Sequence, residues 1–315
     1  MSNILITGAH GFIGKHLARW LAQQGHQVVG LGHGIWPTVE AASWGLTQWL
    51  NGDIQSGNLR LLQQASGTPD VVYHLAGGSS VGVAIANPRE DFFRTVVTTA
   101  ELLEWLRVDA PQARLVAVSS AAVYGSDHHG LIAEDATLTP YSPYGHHKRV
   151  MEELCRSYAT SYGLQISIAR LFSVFGAELK KQLLWDLCSR LATGTRPLVL
   201  GGNGNELRDW TDVRDVVRAL DLLATQACAE VAVTNVGTGL GTSVRQIATG
   251  IARQWPLLDA ADALQFSGQS RPGDPFSLVA NASGLNKLGF TWAIPVDKGL
   301  DDYVRWFQGQ RKAPQ

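Results

Sequence analysis

Along the first half of the chain, short apolar runs alternate with longer stretches in which apolar residues recur at helical spacing. Residues 4–7, 27–31, 71–76, 115–119 and 165–171 have the length and continuous apolarity of strands buried on both faces. Residues 12–24, 59–64, 89–107 and 144–162 carry the spacing of helices between them. Strands that alternate with helices build right-handed βαβ units. The pattern therefore predicts an α/β fold with a doubly wound parallel sheet of the Rossmann kind, covered on both faces.

Past Gly176 the rhythm changes. A helix over 180–192, a strand at 198–200, a glycine turn at 201–204 and a mixed segment over 207–223 come first. An apolar run at 231–236 and helical patterns at 244–253 and 298–307 follow. No Pro/Ser-rich linker divides the halves, so residues 1–171 read as one domain and 172–315 as a smaller α/β lobe interwoven with it. The tail 310–315 is expected to fray.

Composition narrows the class. In 315 residues, 45% are hydrophobic and 17% charged, which excludes disordered, collagen-like and coiled-coil chains. Lys and Arg number 26 against 27 Asp and Glu, so no general basic field draws the chain to nucleic acid or anionic lipid. Cys155, Cys188 and Cys228 are widely spaced without a CxxC pair, which argues against a disulfide framework or a thiolate metal site. No apolar run has membrane-spanning length and no secretory-type leader is evident, so no membrane partner is expected and the expected location is cytoplasmic.

Chemistry enters with Thr7-Gly8-Ala9-His10-Gly11-Phe12-Ile13-Gly14, directly after a strand and opening a helix. Glycines there permit a tight turn, let backbone approach a pyrophosphate and pack helix on strand, while the helix N-terminus offers N–H groups to phosphate. The bland alternative is a structural turn. At the end of the second strand stands Gly32-His33, with no carboxylate to repel a 2′-phosphate. That favours NADP(H) over NAD, with His33 as a pairing partner or merely a loop residue. Asp53-Ile54, after the third strand, is placed to meet adenine, unless Asp53 only caps a turn.

Tyr144 and Lys148 lie four residues apart at the start of a helical pattern and so share a face. A nearby ammonium makes a phenol a better proton carrier at neutral pH. Ser119-Ser120 ends a parallel strand, on the carboxyl edge where open sheets bind ligands. His128-His129 and His146-His147 lack metal-ligand spacing and read as surface histidines. Trp105, Trp185, Trp255 and Trp306 read as core anchors rather than stacking platforms for nucleic acid.

Together the loop from Thr7 to Gly14, His74-Leu75-Ala76-Gly77, Ser119-Ser120-Ala121-Ala122-Val123-Tyr124-Gly125, Tyr144 to Lys148, Arg208-Asp209-Trp210-Thr211-Asp212-Val213 and Arg271-Pro272-Gly273-Asp274 carry a resemblance. Their order over nearly the whole chain resembles the extended short-chain dehydrogenase/reductases that act on nucleotide sugars. The resemblance implies a nucleotide-sugar substrate, with Tyr144 as general acid/base, Lys148 at the nicotinamide ribose and Ser120 on the sugar oxygen. It implies cofactor contacts at Gly8, His10, Gly11, Phe12, Ile13, Gly14, Gly32, His33, Asp53, Ile54, Leu75, Ala76 and Gly77. Ser79, Ser80, Ser173, Arg208 and Arg271 fall on its substrate side, the arginines as diphosphate ligands or as surface ion pairs.

Relatives that eliminate water carry an acidic pair after the Ser/Thr, where this chain has Ala121-Ala122, so a 4,6-dehydratase is disfavoured. A 4-keto-sugar reductase and a 4-epimerase remain. Gly32-His33 tilts toward the reductase, as does a likeness of residues 208–217 and 235–242 to GDP-4-keto-6-deoxymannose reductases, and of residues 11–17 and 276–287 to abequose-synthase-type reductases. A non-catalytic dinucleotide sensor is the third reading. Departures from the family pattern are Thr95 for its usual Asn and Phe172-Ser173-Val174-Phe175-Gly176 for Phe-Asn-Val-Tyr-Gly. Lys180-Lys181 could meet phosphate or solvent, with solvent preferred. The helices at 89–107 and 144–162 pair across a two-fold axis in the family, so a homodimer is expected, with Val96, Leu102, Leu103 and Leu106 suited to that contact or to sheet packing.

Overall fold

A computed structural model describes residues 1–195, 197–255, 264–269 and 275–312. The first half forms β1 (Asn3–Thr7), α1 (Phe12–Gln23), β2 (Gln27–Gly32), α2 (Thr38–Ser43), β3 (Gln48–Asn51), α3 (Ser56–Ser66) and β4 (Val71–His74). Then come α4 (Val81–Ala86), α5 (Pro88–Phe92), a π turn (Phe93–Val97), α6 (Thr98–Asp109), β5 (Arg114–Ser120), β6 (Leu131–Ile132), α7 (Pro143–Tyr162) and β7 (Ile166–Leu171). The second half adds β8 (Ser173–Phe175), α8 (Gln182–Ala192), β9 (Leu198–Leu200), β10 (Leu207–Asp212), α9 (Val213–Ala224) and β11 (Ala232–Val236). It continues with β12 (Gly241–Ser243), α10 (Val244–Ala252), β13 (Leu264–Phe266), β14 (Ser277–Ala280) and helices Ser283–Lys287 and Val296–Lys312.

The central sheet has seven strands in the order β11-β7-β5-β4-β1-β2-β3, every pairing parallel. Alternation along β1 shows why both faces must be covered. Ile4 and Ile6 pack with Leu17 and Leu21 of α1 and Val216 and Leu220 of α9, whereas Leu5 packs with Leu59 of α3, Leu102 and Leu106 of α6 and Met151 of α7. Leu102, Leu103 and Leu106 are thus fully buried within the monomer as sheet packing.

A smaller sheet runs β12-β10-β14-β6, with β8 also on β10. Each half lends the other a strand: β6 pairs β14, and β11 closes the edge of the large sheet beside β7. Trp105 is a core residue of the large domain, while Trp185, Trp255 and Trp306 pack on the core of the smaller lobe.

Several boundaries depart from the pattern. The strand read as 71–76 stops at His74, where its pairing with β1 and β5 ends at Thr7 and Ala117. The single helix read over 89–107 contains the π turn at Phe93–Val97, a local widening that sequence periodicity does not signal. The mixed segment 207–223 divides into β10 and α9 at Asp212, whose side chain accepts the Arg214 N–H as an N-cap. The last helix continues to Lys312, into the tail read as frayed. Among the described residues, no helix is long and apolar enough to cross a membrane.

Candidate active site

The carboxyl edge of the large sheet opens into a cavity of about 920 Å3 shared with the smaller lobe. At one end lies the turn between β1 and α1. Gly8 has φ +76°, and a Cβ on it would lie 2.8 Å from the Ala76 nitrogen. A Cβ on Gly14 would lie 2.3 Å from the Gly8 carbonyl oxygen, so only glycine lets α1 approach the strand this closely. No side chain caps α1 and no acidic residue occupies its first turn, leaving its amide end toward the cavity, where Gly11, Phe12 and Ile13 form the wall. That cradle fits a pyrophosphate. Gly14→Ala is expected to cost about 1–3 kcal/mol of stability by overpacking and to weaken dinucleotide binding at least tenfold, read by thermal melts and fluorescence titration.

Of the other residues on the cofactor side, Gly32, His33, Ile54, Leu75, Ala76 and Gly77 also line the cavity. His10 does not: its ring lies 4.8 Å from Trp36 and 5.8 Å from Trp49, packed among aromatic side chains away from the cavity wall. His33 has a carboxylate neighbour: its Nε2 lies 3.1 Å from Asp53 Oδ1, both side chains being exposed, and Asp53 itself is not among the residues that line the cavity. The expected order, His33 without a neighbouring carboxylate, is thereby corrected. Asp53 comes from beyond β3, and parallel pairing of β2 with β3 brings it beside His33 across the sheet edge.

The middle of the cavity is built by β5 and α7. Ser142 caps α7 by accepting the Gly145 N–H, and Pro143 opens its first turn, so Tyr144 emerges at the helix start facing Ser120 at the end of β5. The Ser120 hydroxyl hydrogen-bonds the Tyr144 phenol. Burial pushes that phenol above its ordinary range, the Ser120 bond draws it down, and the Asp91 charge pushes it up again. Lys148 is 3% exposed and donates to the Val118 carbonyl at 2.8 Å. Burial brings its ammonium down to about 8, against the upward pull of Asp91 and Glu152. Gly77, φ +148°, leaves room for it: a Cβ there would sit 3.3 Å from Lys148 Nζ.

Behind this group two buried networks fix the sheet edge. His74 stands between Thr7 Oγ1 at 2.7 Å and Thr99 Oγ1 at 2.9 Å. Thr99 donates to the Thr95 carbonyl, so it accepts from His74 Nε2–H, and Nδ1 accepts from Thr7. Full burial brings His74 down to about 3, so it is a neutral strut. Glu152, one turn beyond Lys148, takes Arg170 Nη2 at 2.7 Å and Nε at 3.0 Å and the Ser119 hydroxyl at 2.6 Å. The sequence signal for this pair was available: Arg170 interrupts an otherwise apolar strand, and a buried guanidinium demands an acid.

Ser79, Ser80, Ser173 and Arg208 also line the cavity, as do Ala121, Ala122 and Trp210. Ser80 also caps α4. Lys180 and Lys181 are both exposed; Lys180 lies near Trp306, while Lys181 stands at the border of the cavity, where partial burial lowers its ammonium. Thr95 is buried and accepts the Gly78 N–H at 2.9 Å, holding the glycine loop to the π turn. Arg271 lies outside the described residues. Among the described residues no group of three His, Cys, Asp or Glu is placed to hold a metal, and His128 bonds the Thr137 carbonyl while His147 bonds Asp91.

Comparison with known proteins agrees with this fold. Residues 4–237 match the model of the NAD dependent epimerase/dehydratase family. A UDP-glucose 4-epimerase of Azospirillum brasilense is 29% identical over 96% of this chain and 90% of its own length. UDP-glucose 4-epimerase 4 of Oryza sativa subsp. japonica is 31% identical over 96% of this chain and 88% of its own. Among solved structures, MoeE5 in complex with UDP-glucuronic acid and NAD superposes with a TM-score of 0.85 at 31% identity, covering 98% of this chain and 99% of that one.

Proposed function

This chain belongs to the NAD dependent epimerase/dehydratase family, and on that premise we propose that it is a 4-epimerase of a nucleotide-diphosphate-linked hexose with NAD as resident cofactor. The observation that carries the choice over a keto-sugar reductase is the His33–Asp53 pair. It sets a carboxylate beside His33, a residue that lines the cavity, and a carboxylate there disfavours a 2′-phosphate and suits the ribose hydroxyls of NAD. The relatives named as 4-epimerases support the same choice. Ala121 and Ala122 line the cavity where water elimination needs an acid and a base, which disfavours a dehydratase.

Bound at the glycine loop, NAD supplies a hydride acceptor and donor at its nicotinamide. Tyr144 takes the proton of the sugar 4-hydroxyl and later returns it to the 4-keto oxygen, while Ser120 hydrogen-bonds that oxygen. Lys148, charged up to about pH 8, binds the nicotinamide ribose. Arg208 and Lys181, both on the cavity wall, hold the diphosphate. Ser79, Ser80 and Ser173 offer neutral hydroxyls to the sugar.

The test is to denature freshly purified protein, identify the released dinucleotide by mass, and follow interconversion of UDP-glucose and UDP-galactose. Stoichiometric, non-exchanging NAD with interconversion and no net reduced cofactor is expected. Empty protein that binds NADPH more tightly than NADH and consumes it on a 4-keto sugar nucleotide restores the reductase.

A further inference from the structure

Asp91 is 4% exposed, and its Oδ2 accepts His147 Nδ1–H at 2.6 Å. His147 immediately precedes Lys148 on α7, and α5, which carries Asp91, packs on that helix. The other carboxylate oxygen faces the loop after β4: a Cβ on Gly78 would lie 1.8 Å from Asp91 Oδ1. A Cβ on the neighbouring Gly77 would lie 3.3 Å from Lys148 Nζ. The dipeptide Gly77-Gly78 thus separates a buried carboxylate on one side from the Lys148 ammonium on the other. Neither the acid nor the imidazole has a part in the proton transfer described above.

We propose that Asp91, anchored by His147 and pressed on Gly78, is a positioning residue that sets the pH range over which the Tyr144–Lys148 group works. This rests on the reading of Tyr144 and Lys148 given above. The field of Asp91 acts on both groups with one sign, holding protons on the ammonium and on the phenol alike. Other charges around Asp91 are engaged elsewhere. Glu90 and Arg94 pair with each other at the surface, and Arg89 lies over the Phe93 ring. On α7, Glu152 is held by Arg170 and Ser119, and burial pushes the Cys155 thiol up to about 12. His74 on β4 is neutral, His146 is exposed, and α4 carries no ionisable side chain.

Asp91→Asn keeps the shape and removes the charge. Both limbs of the kcat pH profile are expected to move toward acid by roughly one pH unit, with the maximum rate kept within about tenfold. Gly78→Ala displaces the carboxylate without touching it chemically and should move the limbs the same way, which covers the case of an Asp91 variant that fails to fold. His147→Gln still donates to the carboxylate and should leave the limbs in place. A uniform loss of rate at every pH, or unmoved limbs in both the Asp91 and Gly78 variants, overturns the proposal.

The pH dependence of NADH binding separates this from failure of the epimerase reading. If wild-type protein turns over no sugar and its dinucleotide exchanges freely, the fall in NADH affinity as Lys148 deprotonates should still occur about one unit lower in Asp91→Asn. An unshifted binding curve rejects the role of Asp91 whatever the sugar chemistry.

Discussion

Tyr144→Phe is expected to lower kcat by about 10²–10⁴-fold while the protein keeps its fold and its bound dinucleotide. The substitution removes one oxygen, whose partner on this chain is the Ser120 hydroxyl, and leaves the ring against the cavity wall. The start of α7 does not depend on that oxygen, since Ser142 and Pro143 set it. The loss should fall on kcat rather than KM, because the phenol transfers a proton and contributes little to holding the nucleotide. In the wild type the rate should decline above about pH 8, where Lys148 loses the proton with which it holds the nicotinamide ribose. A steady-state assay over pH, with circular dichroism and mass analysis of released cofactor, checks all three points. Activity within tenfold of wild type sinks the assignment of Tyr144.

The second large effect is on stability. Arg170→Met should cost about 3–5 kcal/mol, because it strands the Glu152 carboxylate at 0% exposure. Arg156 at 3.5 Å and the Ser119 hydroxyl remain near Glu152, but neither replaces the two-pronged guanidinium contact. The cost also includes the Arg170 bonds to the Tyr124 hydroxyl and the Glu134 carbonyl, which tie β7 to the segment around β6. Replacing both partners with apolar residues, Glu152→Leu with Arg170→Met, should restore much of the loss, since no charge is then left unpaired. Denaturant unfolding of both single variants and the double variant gives the comparison. A single substitution costing under 1 kcal/mol would refute the view that this pair is energetically coupled.

What could be read from sequence and what could not divides along physical lines. The large sheet was legible because β1, β4, β5 and β7 are buried on both faces and are therefore continuous apolar runs. Strand β3, Gln48–Asn51, was missed because it is an edge strand with two exposed and two half-buried residues and lacks that mark. The short strands β8, β12 and β14 owe their conformation to pairing with β10 rather than to any periodicity of three or four residues. The Ser120, Tyr144 and Lys148 positions were legible because helix geometry and a strand end fix them locally. The meaning of His33 was not, because Asp53 lies on another strand and register alone decides whether the two meet. For the same reason nothing in the sequence marks Asp91, whose contact with His147 depends on α5 packing against α7.

The exchange of strands between the halves also bears on how the chain is made. During synthesis β7 leaves the ribosome ready to pair on both sides, but its outer neighbour, β11, is encoded at Ala232–Val236 and follows some seconds later. Over that interval the nascent chain displays the open edge of β7, Ile166–Leu171, a run of six buried residues in the finished protein. β6 likewise waits for β14. Co-translational folding of the dinucleotide-binding half should therefore stall one strand short of completion, and that interval is when the newborn chain most needs a chaperone.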